Sequence, residues 1–531
     1  MKKIYIAFLI SALTFPTLAM AQSVQWMTST SNNYVLNPEL PLQPACASAN
    51  RIYAARMVDF ALDFSLDIFG SMAIDCYDLS GSLMWSFPFG DSIMVESITS
   101  DASGNVVVGG AYMETLHLGT ADSLTNTSFG LNVNLFLFSL DASGNLLWKR
   151  NISLTYPFAW ELSPVGMDNL GNCWYGLAFF DSTSITRLDP NGNDMQSHMI
   201  FGTRSMNSFS FDPMGNLYVT GSSGSIVMSI GSTSVNVPEQ YMMFVTRIDA
   251  AGNCSWIKLA HDITFQSPQI VTTDNGDAYV AGNLFDTTAF GTIFFDGPEW
   301  VYDFFLTKVD STGNFSWGVE VPEQQTLTGD FQRGKNNFID VDASGNVYMT
   351  GTIRGLVDWG NGVISDAGTI PSNGIAIISF DGAGIARWQI TGVAAGFIAP
   401  TSMVTTGLDE CYFATSVVGE LTVDSITTNP GTDFAFALGK ISSATGIYSP
   451  DAADDFLLYP NPVRETLFVN RYLLSGTAEE ISIFNALGEN VISVFSASDV
   501  TDNFQIDVSK LPPGIYFLSI GDVKKKFVVQ H

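Results

Sequence analysis

Histidine is scarce in this chain: His117, His198, His261 and His531 are the four in 531 residues. None stands at HxH or HExxH spacing, so no metal site is expected. There is no G-x-S-x-G elbow, no P-loop, and no GxGxxG at a strand-to-helix junction. A Ser/His/Asp set assembles in space, and nothing in the sequence favours one. Basic residues are few, 22 Lys and Arg against 52 Asp and Glu, for a net charge of −30. Such a surface repels phosphate backbones and anionic lipid, which excludes nucleic acid as a partner. Five cysteines are too few for a disulfide scaffold of this length. No apolar run approaches the ~18 residues of a membrane span. Charged residues are only 14% against 46% hydrophobic, so a large core is affordable and wholesale disorder is excluded.

What is present begins with Lys2 and Lys3, an apolar run from Ile4 to Leu18, and Ala19-Met20-Ala21. That order predicts a secretory signal peptide over 1–21 and an exported, soluble mature chain from Gln22.

Beyond it, one pentad recurs. A first series, each followed by a β run such as NVYMTG, comprises DASGN at 101–105, DNLGN at 168–172, DPMGN at 212–216, TDNGD at 273–277 and DASGN at 342–346. CASAN at 46–50 and TGLDE at 406–410 are weaker members. A second series alternates with it: DLSGS at 78, DASGN at 141, DPNGN at 189, DAAGN at 249, DSTGN at 310, DGAGI at 381 and a degenerate SSATG at 442. Trp85, Trp148, Trp256, Trp317 and Trp388 each lie seven residues after their Asp, and Gln196 takes that place in the third repeat. Two turns per repeat imply four strands. Seven units of roughly 60 residues predict an all-β fold, a seven-bladed β-propeller of four-stranded blades. Near-continuous apolar runs such as LFLFSL at 135–140 suit strands covered on both faces.

The pentad has a mechanism of its own. Asp folds back on backbone N–H groups, and Gly accepts positive φ. A calcium loop needs three or more ligating side chains and a distal Glu; DASGN offers two and none. The turn reading leads, a calcium loop is the lesser one, and no cofactor is expected.

The units resemble the bacterial beta-propeller repeat family, D-x-x-G-N-x-Y-V-x-G followed by D-x-x-G-N-x-x-W, over roughly 40–450, with the third blade short. The resemblance implies a fold and no reaction. In that register Cys46 takes the Asp slot of the first turn, and Cys76 ends the third strand of the same blade. A Cys46–Cys76 disulfide is then an expectation to test. Cys173, Cys254 and Cys411 fall in separate blades as small core residues.

After about 448 the texture changes. An acidic linker at 449–455 precedes short strands over 456–531, which predicts a small Ig-like β-sandwich. The run carries Tyr459-Pro460-Asn461-Pro462, IFNALGE ending at Glu489, Leu511-Pro512-Pro513-Gly514-Ile515-Tyr516 and a closing Lys526-Phe527-Val528-Val529. It resembles the type A C-terminal sorting domain of the Bacteroidetes type IX secretion system. The resemblance implies passage through the periplasm, the type IX machinery as partner, and a final place on the outer surface or outside the cell. The propeller is then expected over 22–448.

Both pentad turns of each blade lie on one face. Longer connections, 112–133, 151–164, 222–240, 284–302, 320–336 and 353–373, lie on the other, and variable loops on a rigid scaffold carry binding. Tyr156, Trp160 and Glu161, then His261 and Asp262, then Asp330 and Arg333, are the candidate ligand groups there. Aromatics stack on sugar faces and carboxylates accept sugar hydroxyls. The leading expectation is a non-enzymatic surface or secreted propeller binding a glycan or a protein. One alternative is a polysaccharide hydrolase or lyase using Glu161, Asp262 and Asp330. The other is a structural adhesin or surface-layer component.

Overall fold

The pentads set the local geometry. The structure, a computed structural model, describes residues 22–31, 43–63, 68–90, 92–126, 133–152, 161–239, 241–260, 268–284, 288–295, 303–320, 329–368, 374–431, 434–443, 456–459, 463–471, 480–485, 489–495, 503–520 and 523–530. The expected signal peptide lies outside them. In the turn at 101–105 one Asp101 oxygen accepts the N–H of Ser103 at 2.9 Å and of Asn105 at 2.8 Å, while the Asn105 amide donates to the other at 2.8 Å. Asp101 N also donates to Asn105 O at 2.9 Å, and Gly104 sits at φ 84°. The same Asp-to-backbone pattern recurs at 141, 189, 249, 310 and 342. These carboxylates face N–H donors, which are the wrong partners for a cation. Among the described residues no three His, Cys, Asp or Glu side chains gather as a metal set.

The turns join antiparallel strands into four-stranded blades, seven among the described residues, six of them continuous meanders. Blade 1 is Ala45–Ser48, Arg51–Asp63, Ile68–Asp78 and Leu83–Phe89; blade 2 is Ile93–Ser100, Val106–Met113, Val133–Leu140 and Leu146–Ile152. Blade 3 is Glu161–Met167, Cys173–Ala178, Ser182–Leu188 and Asp194–Phe201; blade 4 is Thr203–Phe211, Leu217–Ser223, Met243–Ile248 and Cys254–Ala260. Blade 5 is Gln269–Thr272, Ala278–Leu284, Asp303–Val309 and Phe315–Glu320. Blade 6 has a first strand broken into Asp330–Arg333 and Ile339–Val341, then Val347–Arg354, Gly374–Phe380 and Ala386–Ala394. Each first strand packs against those of both neighbouring blades, and that of blade 7, Ile398–Gly407, packs back on blade 1. The ring is therefore closed, and closure hides sheet edges.

Blade 7 departs from expectation. SSATG at 442 does not lead to a fourth strand there. Glu410–Val418 and Phe434–Ser443 follow the first strand, and the outermost place is taken by Gln22–Ser31, paired along Phe434–Ser443. The strand Gln22–Ser31 thus seals the end of the ring, and the compact propeller unit runs to Ser443.

Two more expectations change. CASAN and TGLDE are not pentad turns: Ser48 pairs with Arg51, and Gly407 with Glu410, around two-residue turns. In that register Tyr53 stands between Cys46 and Cys76, opposite both. Strand spacing puts the two cysteines about 9–10 Å apart, beyond the ~7 Å between Cα atoms that a disulfide spans. The expected Cys46–Cys76 bridge is absent. Both thiols are free and buried, and burial pushes Cys46 up to about 12 and Cys76 to about 11.

The repeated aromatics bind blade to blade. Trp85, Trp148, Trp256 and Trp317 each donate their indole N–H, at 3.1 Å, to the second carbonyl of the next blade's outer turn: Ala142, Pro190, Ser311 and Gly382. Trp26, on the sealing strand, does the same to Leu79 of blade 1 at 3.1 Å. The fourth residue of each receiving turn lies under the ring. A Cβ on Gly384, at φ 82°, would stand 2.7 Å from the Trp317 ring, so glycine is required there for both conformation and space. Second-strand tyrosines repeat the device on the inner turns. Tyr53, Tyr218 and Tyr279 donate to the carbonyls of Gly104, Gly276 and Gly345 at 2.5–2.6 Å. Within a blade, a third-strand cation lies over the tyrosine ring, as Lys308 does on Tyr279 at 5.7 Å. Lys308 also pairs Asp277 at 3.0 Å.

The second-to-third-strand connections, expected as loops, are built instead as hairpins. They are Thr115–Leu118 with Asp122–Thr125, Val227–Ile230 with Thr233–Asn236, Thr288–Phe290 with Ile293–Phe295, Leu356–Asp358 with Ile364–Asp366, and Leu421–Val423 with Ile426–Thr428. The first, second and fifth pair with the outer strand of the preceding blade, through Phe89↔Leu118, Ile200↔Ile230 and Val393↔Thr422. Blade 3 has no such hairpin, since Phe179–Asp181 joins its strands directly.

Residues 444–531 form a second unit, whose described residues make one three-stranded and one four-stranded antiparallel sheet. Val463, Leu467, Ile483, Leu518 and Phe527 are in its buried core. Asn485 and Glu489 repeat the end-to-end bonding of the propeller pentads with roles exchanged, Asn485 N donating to Glu489 O at 2.9 Å. The Asn485 oxygen accepts the Glu489 N–H at 2.9 Å, and the Asn485 amide donates to the Glu489 carboxylate at 2.7 Å.

Candidate functional site

Blade 6 builds the site by breaking its own first strand. Asp330 pairs with Arg354 and Gln332 with Thr352. At Gly334 the chain leaves that ladder, and Lys335 N and Asn336 N donate instead to Pro400 O and Thr401 O of blade 7, at 3.0 and 3.1 Å. A Cβ on Gly334 would stand 2.7 Å from Phe338 and 3.2 Å from the Pro400 carbonyl, so a larger residue would block the crossing. Asn336 then donates its side-chain amide to Glu96 O of blade 2 at 2.7 Å, reaching across the ring axis. The strand re-forms at Ile339.

The detour opens a cleft of about 340 Å³ toward blades 5 and 7, lined by Asn283, Asp330, Gln332, Arg333, Lys335, Arg354 and Phe397, among others. Three cations face it, in a chain with only 22 basic residues. Arg333 donates to Gly334 O at 2.9 Å and lies over the Phe338 ring at 5.4 Å. Burial lowers its pKa to about 10, which leaves it charged at neutral pH. Lys335 and Arg354 are exposed. Asp330 is raised above the ordinary carboxylate value by burial, against the pull of Arg354. Phe397 is 42% exposed and gives the rim an aromatic face.

Of the residues expected here, Asp330 and Arg333 share this cleft. They sit on a strand, not on the loop expected over 320–336. Phe331 between them is buried against Phe304 and Trp359, as packing alone requires. Glu161 opens the first strand of blade 3, paired with Ala178. Tyr156, Trp160, His261 and Asp262 lie outside the described residues. Arg354, Asn283 and Phe397 were missed. Arg354 becomes a neighbour only once 330–333 is recognised as a strand in register with it. Phe397 is brought by the next blade.

In the C-terminal unit, Leu511 enters the core and Pro513 is exposed. The Tyr516 hydroxyl donates back to Pro512 O at 2.7 Å, and its ring stacks on Phe527 at 5.8 Å. The Leu-Pro-Pro-Gly-Ile-Tyr run is thus tied into one corner, in the manner of a tyrosine corner. Lys526 is exposed beside it, and Tyr459 ends a strand. Pro460, Asn461 and Pro462 lie outside the described residues.

Residues 457–530 match the family described as secretion system C-terminal sorting domain. No curated protein matches the chain. Among solved structures the chain is similar to the Dos1 propeller, at 10% identity over 80% of this chain and 96% of that one, with a TM-score of 0.39. It is similar to YCF48 bound to D1 peptide, at 9% over 79% and 100%, TM-score 0.38. It is also similar to a protein of unknown function from Bacteroides caccae, at 12% over 64% and 93%, TM-score 0.32. The propeller assignment stands on the closed ring of sheets. The sorting domain marks the chain for export by the type IX secretion machinery to the cell surface or the extracellular space. Among the described residues no helix is long and apolar enough to cross a membrane.

Proposed function

We propose that this chain is an exported, non-enzymatic β-propeller binding protein whose cleft between blades 5, 6 and 7 takes an anionic polysaccharide. The observation that carries the reading is the gathering of Arg333, Lys335 and Arg354 around one cleft in a chain of net charge −30. The overall field repels polyanions, so only a local cluster can hold one, and carboxylate or sulfate groups suit guanidinium forks. Phe397 offers a face for a sugar ring. The blades read as members of the bacterial beta-propeller repeat family, which supplies a scaffold and no chemistry of its own.

One observation favours a hydrolase instead: the Asp330 carboxyl is raised by burial, as a general acid requires. Glycoside hydrolysis needs a second carboxylate roughly 5–10 Å away. Among the described residues lining the cleft, Asp330 is the one carboxylate.

The test is retention of the mature full chain on sulfated, uronic and neutral polysaccharides, with reducing ends assayed alongside. Retention on the acidic polymers alone, weakened by salt and by Arg354→Ala, is expected. Release of reducing ends would replace the binding reading with the hydrolase.

A further inference from the structure

The junction between blades 3 and 4 lacks the aromatic latch found at other junctions. On blade 3's outer strand the tryptophan position is Gln196, and on its second strand the tyrosine position is Trp174. At the junctions of blades 1–2, 4–5 and 5–6 the receiving carbonyls accept both an indole N–H and a phenol O–H from the preceding blade. Here their counterparts are Ala250 O and Gly215 O, and among the described residues no side chain of blade 3 donates to either. Trp174 turns its N–H back to Asp168 within its own blade, at 3.0 Å. A cavity of about 300 Å³ remains, bounded by both carbonyl-bearing turns, Trp174, Gln196 and His198.

Its walls are aromatic and electrically quiet. His198 stacks on Trp174 with ring centroids 6.3 Å apart and planes 6° apart, and burial lowers its pKa, so the ring is neutral at neutral pH. Arg187 lies 5.5 Å over the Trp174 ring and pairs with Asp168 at 3.3 Å. Asp249 is held in its own turn by the N–H groups of Ala251 and Asn253. At the mouth, Leu170 is 71% and Met214 64% exposed, an apolar lip. The four filled junctions that share this turn geometry, at Trp85, Trp148, Trp256 and Trp317, show what such a slot accepts.

We propose that the blade 3–4 slot is a binding site for an uncharged aromatic ring bearing an N–H donor, of the indole class, which enters beside Trp174, displaces the movable His198 and Gln196 ends that cover Gly252, and donates to Ala250 O. Sequence places Gln196 where the ring would otherwise be covalently supplied, so the ligand completes the ring of latches from outside. This site is separate from the cationic cleft of blade 6 and faces the pentad side.

The experiment is titration of the mature full chain with indole and with N-acetyltryptophanamide, followed by calorimetry and thermal melting. Indole is expected to bind and raise the melting temperature. Binding of the amide as well would assign the slot to a tryptophan side chain of a partner; indole alone would assign it to a free small aromatic. Gln196→Trp is expected to raise the melting temperature without ligand and to weaken indole binding at least tenfold. Met214→Glu, at the exposed lip, repeats the loss of binding if the first variant does not fold. No binding to the wild-type chain, or equal binding to wild type and variants, overturns the proposal.

Discussion

Blade 5 and blade 3 are the same four-strand meander, yet they hold their neighbours differently. Blade 5 presents Tyr279, Lys308 and Trp317 in cross-strand register, and both rings donate to the turns of blade 6. Blade 3 presents Trp174, Arg187 and Gln196 in the same register, and its indole donates inward. Blade 5 also carries a hairpin between its middle strands, and blade 3 does not. Blade 3 leaves Phe180, Met195 and Phe201 more than half exposed. The difference teaches that the repeat is a rule about junctions. Its most regular residues, the outer-turn glycine and the tryptophan, act on each other across two blades.

That comparison is open to test, beginning with the largest effect. Trp317→Ala should cost about 3–5 kcal/mol, because it removes a packed indole and its hydrogen bond. Gln196→Ala, at the matching place in blade 3, should stay within roughly 0.5–1 kcal/mol. Urea unfolding of the two variants checks this, and equal losses would break the comparison. Next comes Gly384→Ala, with strain of about 1–3 kcal/mol at its positive φ before any clash with the rigid Trp317 ring. Gly252→Ala should cost less in the same assay, since the atoms it meets are the movable ends of His198 and Gln196. Tyr279→Phe should lose about 1 kcal/mol, the net worth of one buried hydrogen bond.

The smallest effect should be the same in both blades. N–H and side-chain donors hold Asp189, of blade 3, below the ordinary carboxylate value. In Asp310, of blade 5, burial opposes those donors and they prevail. A depressed folded pKa gives stability that is present above the unfolded value and is lost as pH falls through the folded one. Stability should therefore fall below about pH 4. Asp189→Asn and Asp310→Asn should each flatten that acid limb by a similar amount in thermal melts between pH 5 and pH 2. A difference between them would mean that the turns, too, depend on their junctions.

Part of this molecule is local and part is not. The pentad's Asp, Gly and Asn interact within five residues, so turn, strand count and blade number could be read along the chain. So could the sorting segment, whose Leu511 to Tyr516 corner closes on itself. The sealing strand Gln22–Ser31 could not, because its partner lies more than 400 positions away and no pentad announces it. Trp26 was its one signal, an isolated tryptophan whose carbonyl partner is on blade 1. The Cys46–Cys76 expectation failed for a related reason: a tighter turn placed both opposite Tyr53, and register, not proximity in the repeat, sets the distance. Asp330 and Arg333 were singled out by residue type, whereas Arg354 and Phe397 line the same cleft only through strand pairing and the next blade.

By itself, then, the sequence determined an exported chain of seven turn-punctuated sheets with a C-terminal address, because those properties rest on contacts within a few residues. Only the tertiary structure decided how the ring is sealed, which connections become hairpins, where cations gather and which junction lacks its indole. Those outcomes rest on hydrogen bonds and packing between blades, and their partners are neighbours in space alone.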